Sequence, residues 1–377
     1  MSQVTAILVV HDGATWLPQV VAALANQSRT PNRTIAVDTG SKDGSGKLLS
    51  GARIKSISIN RGEGFGSAVT EAVATLPPVE SEDEWIWLLH DDSAPDSKAL
   101  ENLLAAVTDR PNIAMVGPKI LGWNDRSHLL EVGISIARNG ARWTGLEKDE
   151  YDQGQHDGIF EVLSVSTAGA LIRRSVFEEL GGFDEKLDLF RDDVDFGWRV
   201  HAAGQSVLVN TDAVIYHAEA AASERREVDV DEAFLHRPHL LDRRNAAYVL
   251  LTNSTWWMLP FISLQVTGAA LARAIGYLFA KLPGYASDEL LALLRLFTRP
   301  DLVRAGRKWR KEDRLVSPRV VTRFMPSRIS QFRSAIDALT DSIQAKLFSA
   351  QTEFKSEISD DEDLLIPDTS RNWKALL

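Results

Sequence analysis

The segment EWIWLLHDDSAPD, Glu84 to Asp96, joins an unbroken apolar run to two adjacent carboxylates. Trp85 to Leu89 do not alternate with polar residues, so the strand they predict must be covered on both faces. The amphipathic stretch SKALENLLAAV follows and predicts a helix. Neighbouring segments repeat the pattern. VTAILVV (4–10) leads into a helical stretch ending near Asn26, and RTIAVD (33–38) leads into a Gly/Ser turn and GKLL. IKSISI (54–59) precedes GSAVTEAVATL, and IAMVG (113–117) closes the series. Strands alternating with helices predict an α/β fold with a mostly parallel central sheet flanked by helices. Such sheets take ligands at the carboxyl ends of their strands, where this chain carries Asp38, Asn60, Asp91 and Asp92.

Farther along, a helix is expected at 174–180, another from about Val194 to Ala203, then a strand at 206–209 and the run AVIYH. From Asn245 to Ala272 there is no charged residue over 28 positions, a length that permits a membrane span. Pro260 and scattered polar groups weigh against a span. An interfacial or a buried helix fits the same composition, and Trp256 and Trp257 suit a membrane surface. Arg295 to Arg333 holds 12 Lys/Arg against 3 Asp/Glu, a net of +9 in a chain of net −10. Basic blocks are commonly solvated faces, but one beside an apolar helix can rest on anionic lipid. The expected division is 1–243, with halves 1–117 and 118–243, then a C-terminal helical region at 244–348 and an acidic tail at 349–377.

With 377 residues and no cysteine, the chain is long enough for large cores and lacks thiolate nucleophiles, Fe–S clusters and Cys-based zinc sites. The start MSQVTAILVVHDG lacks the basic, long-apolar pattern of a signal peptide, so a cytoplasmic location is expected. The ending NWKALL is abrupt and leaves open that the chain is part of a longer protein. The acidic total disfavours nucleic acid as a partner.

Four acidic or imidazole groups carry candidate chemistry. In VDTGSKDGS, Asp38 ends a strand and Asp43 opens a helix; such carboxylates accept from a base or a ribose, or cap the helix. His90-Asp91-Asp92 puts two carboxylates side by side, which repel unless a cation such as Mg²⁺ or Mn²⁺ lies between them; the alternative is a helix N-terminal cluster. FRDDVDFGWR places Asp192, Asp193 and Asp195 at a helix start, where one could act as a general base, and spaces Asp195 and Arg199 for an ion pair. His217 ends an apolar run, as a structural residue or a metal ligand. Asn60-Arg61-Gly62-Glu63-Gly64-Phe65-Gly66-Ser67 opens a helix with G-x-G but not the dinucleotide fingerprint; its amides and Arg61 could still meet a phosphate. Neither a P-loop nor a G-x-S-x-G elbow is present.

Taken in order, these segments resemble the family 2 glycosyltransferases of GT-A fold. VTAILVVHDG is similar to the opening strand, VDTGSKDGS to V-D-x-G-S-x-D-G-S, and NRGEGFGSAVTEAV to N-x-G-x-x-x-A-x-N-x-G with Thr70 at the second Asn. WLLHDDSAPD resembles the strand ending in D-x-D, with His90 in the first position. STAGALIRRSVFEELGGFDE, LFRDDVDFGWRVHAAG and NTDAVIYH resemble the acceptor segment, the E-D-x-D-x-x-x-R region and the metal-side histidine. The resemblance covers about residues 3–220. It implies an inverting, divalent-metal-dependent enzyme moving a sugar from a nucleoside-diphosphate donor, UDP- or dTDP-linked, to a glycan or lipid-linked cell-envelope acceptor. It implies donor binding by Val9, His11, Asp12, Asp38, Asp43, Asn60, Arg61 and Asp91, and acceptor contacts by Thr167, Ala168, Gly169 and Asp195. Mn²⁺ or Mg²⁺ would rest on Asp92, Asp91 and His217. Asp193 would be the base, with Asp192 beside it in place of the commoner Glu. Work at the cytoplasmic face of the membrane, and a homo-oligomer, are compatible with this. The competing readings are a catalytically silent sugar-nucleotide-binding scaffold, a nucleotidyltransferase and a Rossmann oxidoreductase. The last two lack their phosphate loop and their catalytic pairing.

Overall fold

The computed structural model describes residues 2–187, 189–218 and 237–327. The expected tail at 349–377, and the part of the helical region beyond 327, lie outside these residues. The strands are β1 (Gln3–Val10), β2 (Arg33–Asp38), β3 (Lys55–Ser58), β4 (Glu84–His90), β5 (Ser93–Pro95), β6 (Ile113–Gly122), β7 (Leu129–Glu131), β8 (Ser135–Ile136), β9 (Arg142–Trp143), β10 (Ile159–Glu161), β11 (Leu171–Arg173) and β12 (Ser206–His217). The helices are α1 (Leu17–Ala25), α2 (Ser45–Gly51), α3 (Phe65–Ala74), α4 (Ala99–Val107), α5 (Arg174–Glu179), α6 (Asp192–Ala202), α7 (Pro238–Asn253), α8 (Leu259–Phe279), α9 (Pro283–Phe297) and α10 (Pro300–Glu312).

The main sheet runs β10-β12-β6-β11-β4-β1-β2-β3, with β5 on β12 and β7 on β6. Strands β4, β1, β2 and β3 are parallel, as their apolar runs predict. β11 enters antiparallel between β4 and β6, so the second half of the sheet is mixed. Side-chain alternation explains the double cover. Ile7 and Val9 of β1 and Ile86 and Leu88 of β4 pack into one core with α3 and α6. Ala6, Leu8, Val10, Trp85, Trp87 and Leu89 pack into the other with α1 and α4. β12 is one strand of 12 residues with a pairing irregularity between Asn210 and Val214, where the sequence suggested two short runs.

A third core joins Ile134, Ile136 of β8, and Val194 and Trp198 of α6 to the C-terminal helices. The uncharged stretch is not one helix. Its first part, 245–253, lies in α7 and is wholly buried. Extended backbone at Ser254 and Thr255 and a 3-10 turn at Trp256–Met258 separate it from α8. Pro260 sits in the first turn of α8, where its missing N–H costs nothing. α8 buries only the stripe Ile262, Val266, Ala270 and Ala274. Phe261, Leu264, Ile275, Leu278 and Phe279 on the same helix face outward and are exposed. α7 also spans position 243, where the sequence suggested a division.

Candidate active site

The carboxyl ends of β1 and β2 lie side by side, with Val10 opposite Asp38. The loops after them are tied together by the acidic residues. Asp43 accepts from the Ala14 amide at 2.7 Å and from the Ser45 amide and hydroxyl at 3.0 and 2.6 Å. Burial pushes its pKa up, but the Ser45 and Ala14 hydrogen bonds outweigh this and hold it below the ordinary carboxylate value. Asp12, in the left-handed region at φ 49°, accepts from the Lys42 amide at 2.6 Å and pairs with Arg61 at 2.7 Å. Its pKa is also lowered, burial being overcome by the Arg61 and Lys42 contacts. The second Arg61 amino group donates to Gly40 O at 3.0 Å. Arg61, expected at a phosphate, is thus engaged in joining loops. Asp38 accepts from the Ser41 amide at 2.8 Å, and exposed Asn60 donates to Glu63 at 2.9 Å. Val9 is buried in β1, and the ring of His11 contacts Thr39 Oγ1 at 2.6 Å.

At the end of β4 the chain separates its two carboxylates. Asp91 and Asp92 form the turn between β4 and β5, and this turn sends their carboxylates to different partners. Asp91 is buried and accepts from the His11 amide at 2.6 Å. Its carboxylate lies where a side chain on Gly13 would have to go, which accounts for glycine there. The expected trio Asp92, Asp91 and His217 is therefore not what assembles. His90, Asp92 and His217 do, with one ligand atom from each within 4.8 Å of the others. His217 Nε2 is 3.2 Å from Asp92 Oδ1. Parallel pairing of β12 with β6, and antiparallel pairing of His217 with Ser93 of β5, bring the histidine in. Two imidazoles beside one carboxylate suit Mn²⁺ better than Mg²⁺, because both ions take oxygen ligands but Mn²⁺ accepts nitrogen more readily.

The second acidic group opens α6, whose first turn includes Asp192 and Asp193, two residues earlier than the sequence suggested. Phe190 and Arg191 precede it at φ 65° and 71°, both left-handed and strained for side chains of this size. Arg191 is held there by Asp242 of α7 at 2.6 Å, and Asn245 donates to Leu189 O at 2.6 Å. Asp193 accepts from the Val194 amide at 2.6 Å and pairs with Arg142 of β9 at 2.9 Å. Arg142 also holds Glu131 at 2.7 Å, and no sequence motif marked it. Burial pushes the Asp192 carboxyl up to about 7, and the negative charge of Asp193 adds to this. Asp195 departs from its expected acceptor role. It is fully buried and bound by Arg199 at 2.9 Å, Arg310 at 2.7 Å and Asn253 at 2.7 Å, which fasten α6 to α7 and α10.

One short segment touches both groups. Ser164 Oγ donates to Asp193 O at 2.6 Å, and Thr167 Oγ1 is 3.0 Å from His90 Nε2. Three residues of extended chain span at most about 10 Å. Thr167 thus lies beside the imidazole–carboxylate group, with buried Ala168 next to it. Gly169 follows at φ 118°, where a Cβ would strike Ile215 and Pro118.

Residues 4–229 match the family described as Glycosyltransferase like family 2. The chain is 23% identical over 276 residues to the N-acetylglucosaminyl-diphospho-decaprenol L-rhamnosyltransferase of Mycobacterium tuberculosis (strain ATCC 25618 / H37Rv), covering 67% of this chain and 86% of that protein. It is 27% identical over 216 residues to the O-antigen chain rhamnosyltransferase RfbN of Salmonella typhimurium, covering 57% and 66%. GalNAc-T7, solved with UDP, GalNAc and Mn²⁺, superposes with a TM-score of 0.52 at 13% identity, over 77% of this chain and 54% of that one, a likeness of fold.

Proposed function

The chain belongs to glycosyltransferase family 2, with its GT-A fold, and from that premise we propose that it inverts a sugar's anomeric centre while moving it from a nucleoside diphosphate to a hydroxyl of a cell-envelope acceptor. The observation that carries this reading is the segment 164–167, which contacts both the start of α6 and the His90–Asp92–His217 group. The donor's nucleotide would lie over the tied loops at Val9–Asp12 and Asp38–Asp43. The diphosphate would face His90, Asp92 and His217. A divalent ion held there would supply Lewis-acid stabilisation of the leaving diphosphate. Asp193 takes the proton of the acceptor hydroxyl as its oxygen attacks the anomeric carbon, and Asp192 stands beside it as a partly neutral carboxyl. Arg142 fixes the orientation of Asp193. Thr167 orients the ring of His90.

The rhamnosyltransferase relatives, named for a diphospho-decaprenol-linked sugar and an O-antigen chain, support a lipid-linked or glycan acceptor, and the donor proposed for it is dTDP- or UDP-linked. Diphosphate release from such donors should stop in chelator and return with Mn²⁺, more fully than with Mg²⁺. Full release in chelator would remove the metal role. A scaffold without catalysis would release nothing under either condition.

The exposed side of α8 supports contact with the cytoplasmic face of a membrane. It is the one helix among the described residues with the length and hydropathy of a span, and it continues the apolar turn Trp256–Met258. Its exposed apolar side chains and the basic residues of α10 suit an interfacial position on anionic lipid. The chain should sediment with vesicles containing anionic lipid, and Leu264→Glu with Leu278→Glu should abolish this. Equal sedimentation of the double variant would refute the contact.

A further inference from the structure

A cavity of about 350 Å³ lies behind the catalytic helix, outside the cleft described above, between α7, α8 and the 3-10 turn at Pro318–Arg323. Trp198 of α6, Leu250 of α7, and Met258 and Ile262 at the start of α8 give it an apolar wall. Two guanidiniums, those of Arg138 and Arg319, also line it, beside the hydroxyl-bearing Ser254, Thr255 and Thr322. Neither has a carboxylate partner among the described residues. Arg319 lies over the Trp257 ring at 4.1 Å. The site is open to solvent along the side that bears Gln265 and Arg319, and its volume lies in the range of small-ligand pockets.

Its position relates it to the reaction. Arg138 is in the turn of the β8–β9 hairpin, and Gly140 of that turn packs on Ala246 and Leu250. Arg142, on the same hairpin, holds Asp193. Arg138 and Arg142 are four positions apart on one hairpin, so their Cα atoms lie at most about 14 Å from each other. At its other end the cavity meets Trp256–Met258 and the exposed apolar side of α8.

We propose that the cavity binds the phosphate head and first apolar carbons of a lipid-carried acceptor, with Arg138 and Arg319 on the phosphate and the apolar wall on the chain. Guanidiniums recognise phosphate through paired N–H groups, and the apolar wall selects against a phosphate without a tail. The remainder of the lipid would leave along α8, and the acceptor sugar would extend toward Asp193. This deepens the glycosyl-transfer reading and rests on it.

The test is calorimetric titration of the full chain with farnesyl phosphate below its micelle concentration, with farnesol and inorganic phosphate as separate arms. Farnesyl phosphate should bind saturably, at least about tenfold more tightly than either fragment. Arg138→Gln should weaken it by about tenfold or more, and Gln265→Trp, on the exposed rim of the cavity, should block it. Equal binding of inorganic phosphate, equal binding of farnesol, or unchanged affinity in both variants at wild-type melting temperature would each overturn the proposal. Binding is read directly, so the outcome is separable from whether the chain turns over a nucleotide sugar.

Discussion

Asp192 and Asp193 are neighbours in the chain but differ in surroundings. Asp193 has a cation at 2.9 Å, while Asp192 is buried beside a like charge and its pKa rises to about 7 from 3.8. The folded chain therefore keeps a proton on Asp192 between those values that the unfolded chain has lost. Stability falls as pH rises through that window and stays at the lower level above it. Asp192→Asn should thus raise the melting temperature more at pH about 8 than at pH about 5, measured by calorimetry. An equal shift at both would show that Asp192 is not protonated in the fold. The sequence made these carboxylates visible through their spacing. It could not show Arg142, which reaches Asp193 across 51 positions from an irregular hairpin. It also favoured Asp91 over His90 as a ligand on residue chemistry, whereas in the fold the turn after β4 commits Asp91 to the His11 amide and leaves His90 beside His217.

Among elements, the helix–strand order and the parallel strands were legible: β1, β2 and β4 carry apolar runs bounded by turns, and the short, largely exposed β3 follows from the alternating order. The break inside the uncharged stretch was not, since composition alone does not say where the chain reverses. α6 is the element on which most depends. Its first turn carries the acidic pair together with Asp195, which pairs with Arg199 one turn farther on. The spacing foretold that pair. The addition of Arg310, which also binds Asp184 at 2.7 Å, comes from a helix 115 residues on. Removing one partner of a buried ionic network leaves the others unpaired. Arg310→Ala should cost about 3–5 kcal/mol in denaturant unfolding. A loss below about 1 kcal/mol would mean that the network does not hold α10 to α6.

At the scale of the molecule, the C-terminal helices are continuous with the catalytic fold rather than appended to it. α7 supplies Asp242 and Asn245, which hold the strained residues before Asp192, and the third core runs from β8 through α6 into α8. This part of the molecule exposes apolar side chains of α8 and basic ones of α10, while the donor-side loops follow β1 and β2, next to the β3 edge of the sheet. A donor approaching from solvent and an acceptor approaching from a lipid surface would meet at the start of α6. The account stands on acidic groups from 92 and 192–193 acting on one donor. Its most direct test is Asp193→Asn, comparing sugar transfer and Mn²⁺-supported donor binding with the unaltered chain. Turnover should fall by about 10²–10⁴-fold while donor affinity stays within about twofold. Near-normal turnover in that variant would contradict the assignment.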